Sequence, residues 1–235
     1  MNSLLNANKA ILSQKRSLLR SLLVKNEQEL TKATEMFTRP CPIVQASVGQ
    51  HYRHSMDHLE LAALLAFSAV QNNVPHNLDE SLPGMPKQHV TTLHSKEEED
   101  VYVGPFQKDT PNLHYDLRVR GGTLEKDLME ATKRIESVYQ ILEEVQGSTS
   151  SSNESSLLHL DSHPVNASFM LSSDGQEVVL KSTVGRELLG FAAHHAIHHL
   201  AMVKVIALQT LGFEACDLPS DFGMAPSTTH FDLTN

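Results

Sequence analysis

The chain lacks tryptophan, has two cysteines in 235 residues, is short of cations and contains no long uninterrupted apolar run. Each shortage excludes something. Two thiols, Cys41 and Cys216, cannot build a disulfide framework, a zinc ribbon or an iron–sulfur cluster, and they fit a reducing compartment. Lysine and arginine total 19 against 28 acids, and a formal charge of -9 argues against nucleic acid or an anionic membrane surface as partner. No segment reaches the roughly 18 consecutive apolar residues of a membrane span. What the chain has in excess is histidine, at 14 residues.

The length suits a single domain over 1–235 that can bury a real core. The first 26 residues hold no acid but carry Lys9, Lys15, Arg16, Arg20 and Lys25, the composition of a mitochondrial transit peptide. An apolar stripe from Leu4-Leu5 through Ile11-Leu12 and Leu18-Leu19 runs straight on to Met36-Phe37. That continuity favours an ordinary first helix and a cytoplasmic protein, with a mitochondrial address as the alternative. Four helices are predicted, over about 3–37, 45–73, 123–146 and 182–211. Pro40 and Pro42 stop the first, Ser47 and Thr123 offer caps for the second and third, and Gly212 closes the fourth. Residues 75–120 hold five prolines and the acidic run Glu97-Glu98-Glu99-Asp100, a solvated surface on a long crossing segment. Around Ser173-Asp174-Gly175 the apolar runs Phe169-Met170-Leu171 and Val178-Val179-Leu180 predict a β-hairpin over about 166–181. A tail of 213–235 follows. The expected fold is all-α: a four-helix bundle with long crossover excursions and this small hairpin.

Two helices concentrate the histidines. His51, His54 and His58 fall on one stripe of the second, and the fourth carries two i,i+4 pairs, His194 with His198 and His195 with His199. Both stripes of the fourth helix are apolar, so periodicity does not choose between the pairs. Burying this many imidazoles without partners costs on the order of 1–3 kcal/mol each; one shared metal ion satisfies several at once. A zincin protease needs glutamate directly after the first histidine, where Ala196 or His195 stands. Carboxylate-bridged di-iron bundles need Glu-x-x-His, which the chain lacks. His114-Tyr115-Asp116 spells half of an oxygenase facial triad, with Arg118 and Arg120 nearby, but the long helical patterns speak against such a scaffold. A mononuclear three-histidine site with open positions is what is left.

The segment Gly49-Gln50-His51-Tyr52-Arg53-His54-Ser55-Met56-Asp57-His58, with Arg186-Glu187-Leu188, the paired histidines of 194–199 and Ala225-Pro226-Ser227-Thr228, resembles the DinB-like superfamily of metal-binding four-helix bundles. The resemblance implies one divalent ion, zinc, nickel or iron, held by His54, His195 and His199. Asp57, His51 and His198 are read as proton relays or ring-orienting groups around the ligands, while His51, His58 and His194 have no counterpart in the family's pattern and are candidates for supporting groups or for a shifted site. The implied function is that of a metal-dependent enzyme, a thiol S-transferase or hydrolase that activates a thiol or water for transfer or hydrolysis. The alternative is a metal-binding or sensing protein without catalysis, whose site Glu187, His58 or His230 would close. The partners expected are a small-molecule substrate, a low-molecular-weight thiol first among them, and a second copy of the chain, but neither nucleic acid nor membrane. Cys41 is read as an ordinary free cysteine.

Overall fold

The leucine recurrence of the N-terminus becomes helix α1, Asn2–Lys25, and it buries Leu5, Leu12, Leu18, Leu19 and Leu22. A computed structural model describes residues 1–71, 110–116, 120–150 and 160–234 of the chain. The acidic run 97–100, the prolines between 75 and 105, Arg118 and the serines of 151–156 lie outside the described residues. The expected continuation of the first helix to residue 37 is broken. Glu27 and Gln28 take φ of 54° and 65°, which a right-handed helix cannot contain, and α2 restarts at Leu30–Thr38. The apolar stripe survives the corner because Ala33, Met36 and Phe37 return to the same core.

Helix α3, Val48–Val70, opens on the expected cap, here a full capping box. The Gln50 amide donates to Ser47 Oγ at 3.2 Å, and Gln50 Oε1 accepts from the Ser47 amide at 3.0 Å. Its first turn lies directly on α4, Thr123–Lys126: a Cβ on Gly49 would stand 2.1 Å from the Glu125 carbonyl oxygen and 2.9 Å from the Phe37 ring. Gly49→Ala is therefore expected to cost about 1–3 kcal/mol through forced displacement of α4. The urea midpoint measures it, and an unchanged midpoint would refute this close seating.

The expected third helix is also in two pieces. Asp127 is extended, and its Oδ1 accepts from the Met129 and Glu130 amides at 2.8 and 3.1 Å, so it caps α5, Leu128–Ser150, while Gly122 rather than Thr123 takes the N-cap position of α4. The apolar track Leu128, Ala131, Ile135, Val138, Leu142 and Val145 is buried as its spacing requires. The hairpin forms: β2, Pro164–Met170, pairs antiparallel with β3, Glu177–Thr183, and β1, Asn112–His114, joins β2 in parallel. Because β3 extends through Thr183, the last long helix starts later than 182. A π-helical segment, Gly185–Phe191, leads into α6, Ala192–Gln209.

The result is a mostly helical chain with a small three-stranded sheet. Helix α3 packs on α5 and α6, and α1 packs on the same two. The stretch Gly185–Gln209 is long and apolar enough, by length and composition, to cross a membrane; here it is the element against which α1 and α3 pack. The chain then folds back along α6. Phe222 is buried, the Gly223 amide donates to Gln14 Oε1 at 3.0 Å, and a Cβ on Gly223 would stand 2.7 Å from the Leu200 carbonyl oxygen. Helix α7, Pro226–Thr234, ends the described chain with proline in the first-turn position that tolerates it.

Candidate metal centre

Helices α3 and α6 bring their histidines edge to edge. His54 Nε2 lies 3.2 Å from His195 Nε2, and His195 Nε2 lies 3.1 Å from His199 Nε2. On the far side of the last ring, His199 Nδ1 meets His51 Nδ1 at 2.7 Å. Ring nitrogens of His54, His58 and His195 also fall within 4.8 Å of one another. Two triads are thus assembled, sharing His54 and His195 and differing in whether His199 or His58 completes them.

The spacing fits a metal ion. With metal–nitrogen bonds near 2.0–2.1 Å, neighbouring ligands stand about 2.8–3.0 Å apart in octahedral and about 3.3–3.4 Å apart in tetrahedral geometry, and the observed spacings fall between the two. Protonation works in the same direction. Burial, then the neighbouring His195, His54 and His51, hold the His199 imidazole far below its ordinary pKa. His51 is lowered to about 4, by burial first and then by Lys15 and His198. Imidazole nitrogens gathered this closely are the donor type that zinc, nickel and iron accept.

The other two histidines of α6 add no nitrogen to either triad. His194 and His198 are exposed, and His198 reaches the cluster through an edge contact with His199, 5.4 Å between centroids. The ambiguity between the two i,i+4 pairs is resolved by which face of α6 meets α3.

The sheet supplies an aromatic wall. Tyr115 stacks on His58 at 4.9 Å and 9°, Phe169 stacks on Tyr115 at 5.0 Å, and Phe191 lies along His195 at 5.7 Å and 20°. Tyr115 is fully buried, and burial, reinforced by the Glu187 carboxylate, raises its pKa well above the ordinary phenol value. Sequence reasoning missed this wall. Phe191 precedes His195 by four residues, and that helical spacing brings the two rings together.

Several candidates hold the fold together. Both oxygens of Asp57 are taken by guanidinium groups, Oδ2 by Arg53 at 2.8 Å and Oδ1 by Arg134 at 2.9 Å. Arg53 also donates to Glu125 at 2.8 Å, and Arg134 to Glu60 at 2.5 Å. Asp57 thus ties α3 to α5. His114 Nδ1 pairs with Glu177 at 2.8 Å, and Asp116 accepts from the Met170 amide at 2.7 Å, so the His-x-Asp step fastens the sheet. Glu187 bonds to Ser182, His230 is exposed on α7, Arg120 is exposed, and Cys41 is buried. Of the three groups expected to close a sphere, only His58 stands in a histidine cluster.

A residue with no expected role stands behind the site. Lys15 of α1 is fully buried, donates to Ser55 Oγ at 2.5 Å and lies 4.3 Å from the centroid of the Tyr52 ring. Burial, then Arg134, lowers its pKa to about 7. The signal was readable. Lys15 follows Leu12 by three and precedes Leu19 by four, which puts a cation on the buried stripe of α1.

No family model and no solved structure matches the chain. A curated protein, FK506-binding protein 5 of Rhizopus delemar, is 35% identical over 116 residues, covering 49% of this chain. The match spans 26% of that relative's own length.

Proposed function

We propose that the chain is a metal-dependent enzyme built as a DinB-like four-helix bundle of α1, α3, α5 and α6. The mutual packing of α3 and α1 on α5 and α6 supports the architecture. The observation that carries the function is the convergence of His54, His195 and His199 through their Nε2 atoms at 3.2 and 3.1 Å. These three would hold one divalent ion, which when bound supplies a Lewis acid able to lower the pKa of a coordinated thiol or water.

The residues around it have defined work. If His199 offers its Nε2 lone pair, its proton sits on Nδ1 and is donated to His51 Nδ1 across 2.7 Å. His51 thereby selects the tautomer of His199 and holds its ring. His58, Tyr115, Phe169 and Phe191 form the apolar wall along which a small molecule would align. The absence of a carboxylate in the histidine cluster, among the described residues, favours metal-activated attack over base-assisted hydrolysis. We prefer a low-molecular-weight thiol as substrate in a cytoplasmic protein.

A second reading, metal binding without turnover, is favoured by His58, one ring nitrogen of which lies within 4.8 Å of ligand atoms of His54 and His195 and would offer a fourth imidazole to close the site. Metal analysis of purified protein separates the triads. Wild type and His58→Ala are expected to hold one equivalent; His54→Ala, His195→Ala and His199→Ala are expected to lose it while keeping their helical circular dichroism. Retention in His199→Ala with loss in His58→Ala would assign the other triad. His51→Ala is expected to weaken metal affinity about 10–100-fold, with His51→Asn restoring the acceptor and most of the affinity. Assaying the loaded protein with thiols and electrophiles then tests for turnover.

A further inference from the structure

Four carboxylate side chains are buried among the described residues: Asp57, Glu60, Glu125 and Glu187. Three of them meet a guanidinium group, Asp57 from both Arg53 and Arg134, Glu125 from Arg53 and Glu60 from Arg134. Glu187 is the exception. One of its oxygens accepts from the Ser182 hydroxyl, and the other, Oε2, is buried without a hydrogen-bond partner. Its second polar neighbour is Tyr115, whose pKa the carboxylate helps to raise and whose hydroxyl is buried with no well-aligned partner. Even a bond between the two would give Glu187 a pair of hydroxyls and no cation. A buried charge in that position is a cation short, and such groups are among the costliest a fold carries.

Its place on the helix ties this charge to the metal centre. Glu187, Phe191 and His195 follow one another at intervals of four, through the π-helical turn into α6. Tyr115 stacks on His58 and lies 5.0 Å from the Phe191 ring, and Phe191 in turn lies 5.7 Å from His195. The carboxylate thus stands at one end of the aromatic wall, with a metal ligand at the other. We propose that Glu187 and Tyr115 form the subsite for the ammonium group of an aminothiol whose sulfur is held by the metal ion at His54, His195 and His199. This inference rests on the thiol reading of the metal centre and narrows it to a cationic thiol. An ammonium group brings the missing positive charge and donates to Glu187 Oε2 and Tyr115 Oη together. The faces of Tyr115, Phe169 and Phe191 attract the same charge. A second divalent ion fits less well, because one unpaired carboxylate oxygen and a phenol fall short of the about six oxygen ligands it takes. A neutral thiol leaves the carboxylate uncompensated, and an anionic one is repelled, so the subsite selects by charge.

Cobalt-loaded protein tests the subsite, because thiolate bound to cobalt(II) gives a charge-transfer absorption that reports binding rather than turnover. The probes are cysteamine, 2-mercaptoethanol and 3-mercaptopropionate, which carry an ammonium, a hydroxyl and a carboxylate at the end of the same short chain. Their thiols differ in acidity, so each affinity is compared between wild type and variant. Glu187→Gln keeps an oxygen for Ser182 and is expected to weaken cysteamine about 10–100-fold more than 2-mercaptoethanol, as for loss of a hydrogen bond to a charged group. The same variant is expected to bind 3-mercaptopropionate more tightly than wild type does. Tyr115→Phe keeps the ring against His58 and is expected to weaken cysteamine about 2–10-fold relative to 2-mercaptoethanol. A loss shared equally by the three probes would mark a structural role and overturn the subsite, as would an unchanged cysteamine affinity in both variants. No absorption change with any of the three thiols in wild type would sink the thiol reading itself, and the subsite with it.

Discussion

Arg134→Met is expected to cost the folded protein about 3–5 kcal/mol, the usual penalty for removing one partner of a buried ion cluster. Arg134 donates to Asp57 at 2.9 Å and to Glu60 at 2.7 and 2.5 Å, and all three side chains are nearly buried. Methionine fills much of the same space but leaves two carboxylates of α3 facing an apolar α5, with Arg53 as the remaining partner of Asp57. The loss should appear in the urea-unfolding free energy. Replacing Arg134 and Glu60 together by apolar residues is expected to cost less than Arg134 alone, because fewer charges are orphaned. If the double replacement costs as much as the two single ones added, the ion-cluster account fails. The cluster also matters to the site, since Asp57 lies one helical step from His54 and the arginines set how α3 is rotated toward α6.

Lys15→Met is expected to move stability the other way, by about 1–4 kcal/mol. The amine is wholly buried with a hydroxyl and an aromatic ring for company, and its pKa falls from 10.5 to about 7. Between these values the unfolded chain holds a proton that the folded chain has released. Wild-type stability should therefore rise with pH from about 7 toward 10.5 as the burial penalty fades. The advantage of the methionine variant should be full near pH 7 and shrink across that window. Parallel unfolding curves of the two proteins at several pH values measure the gap. A gap that stays constant, or a destabilised variant, would mean that the bond to Ser55 outweighs the cost of burying the charge.

The parts of this molecule legible in the sequence are those set by spacing or by one local bond. Ser47 with Gln50 announces a capping box, Ser173-Asp174-Gly175 announces a hairpin, and four-residue histidine spacing announces shared helix faces. What escaped reading depends on partners distant along the chain. Glu27 and Gln28 turn a corner with neither glycine nor proline to mark it. Asp127 did carry a signal, since Asp-x-x-Glu before an apolar track is a helix start, but the periodicity on either side concealed it. Asp57 could be read as a relay because nothing local reveals that Arg134, on another helix, takes one of its oxygens. The choice of His195 with His199 over His194 with His198 rests on which side α3 occupies, a fact of packing that two equally apolar stripes do not encode.

The π-helical turn at Gly185–Phe191 has a consequence for how this architecture can vary. Such a turn is in effect an α-helix carrying one surplus residue. Deleting that residue would return the segment to ordinary helical winding and rotate everything before it by about 100° relative to His195 and His199. Glu187 and Ser182 would rotate together relative to the histidines, and β3 would be delivered to a different side of the helix. The length of the hairpin and the phase of the histidine helix are therefore not independent variables. A homologue that shortens one must re-aim the other, and alignment gaps near residue 188 should be matched by compensating changes in the strand that feeds it.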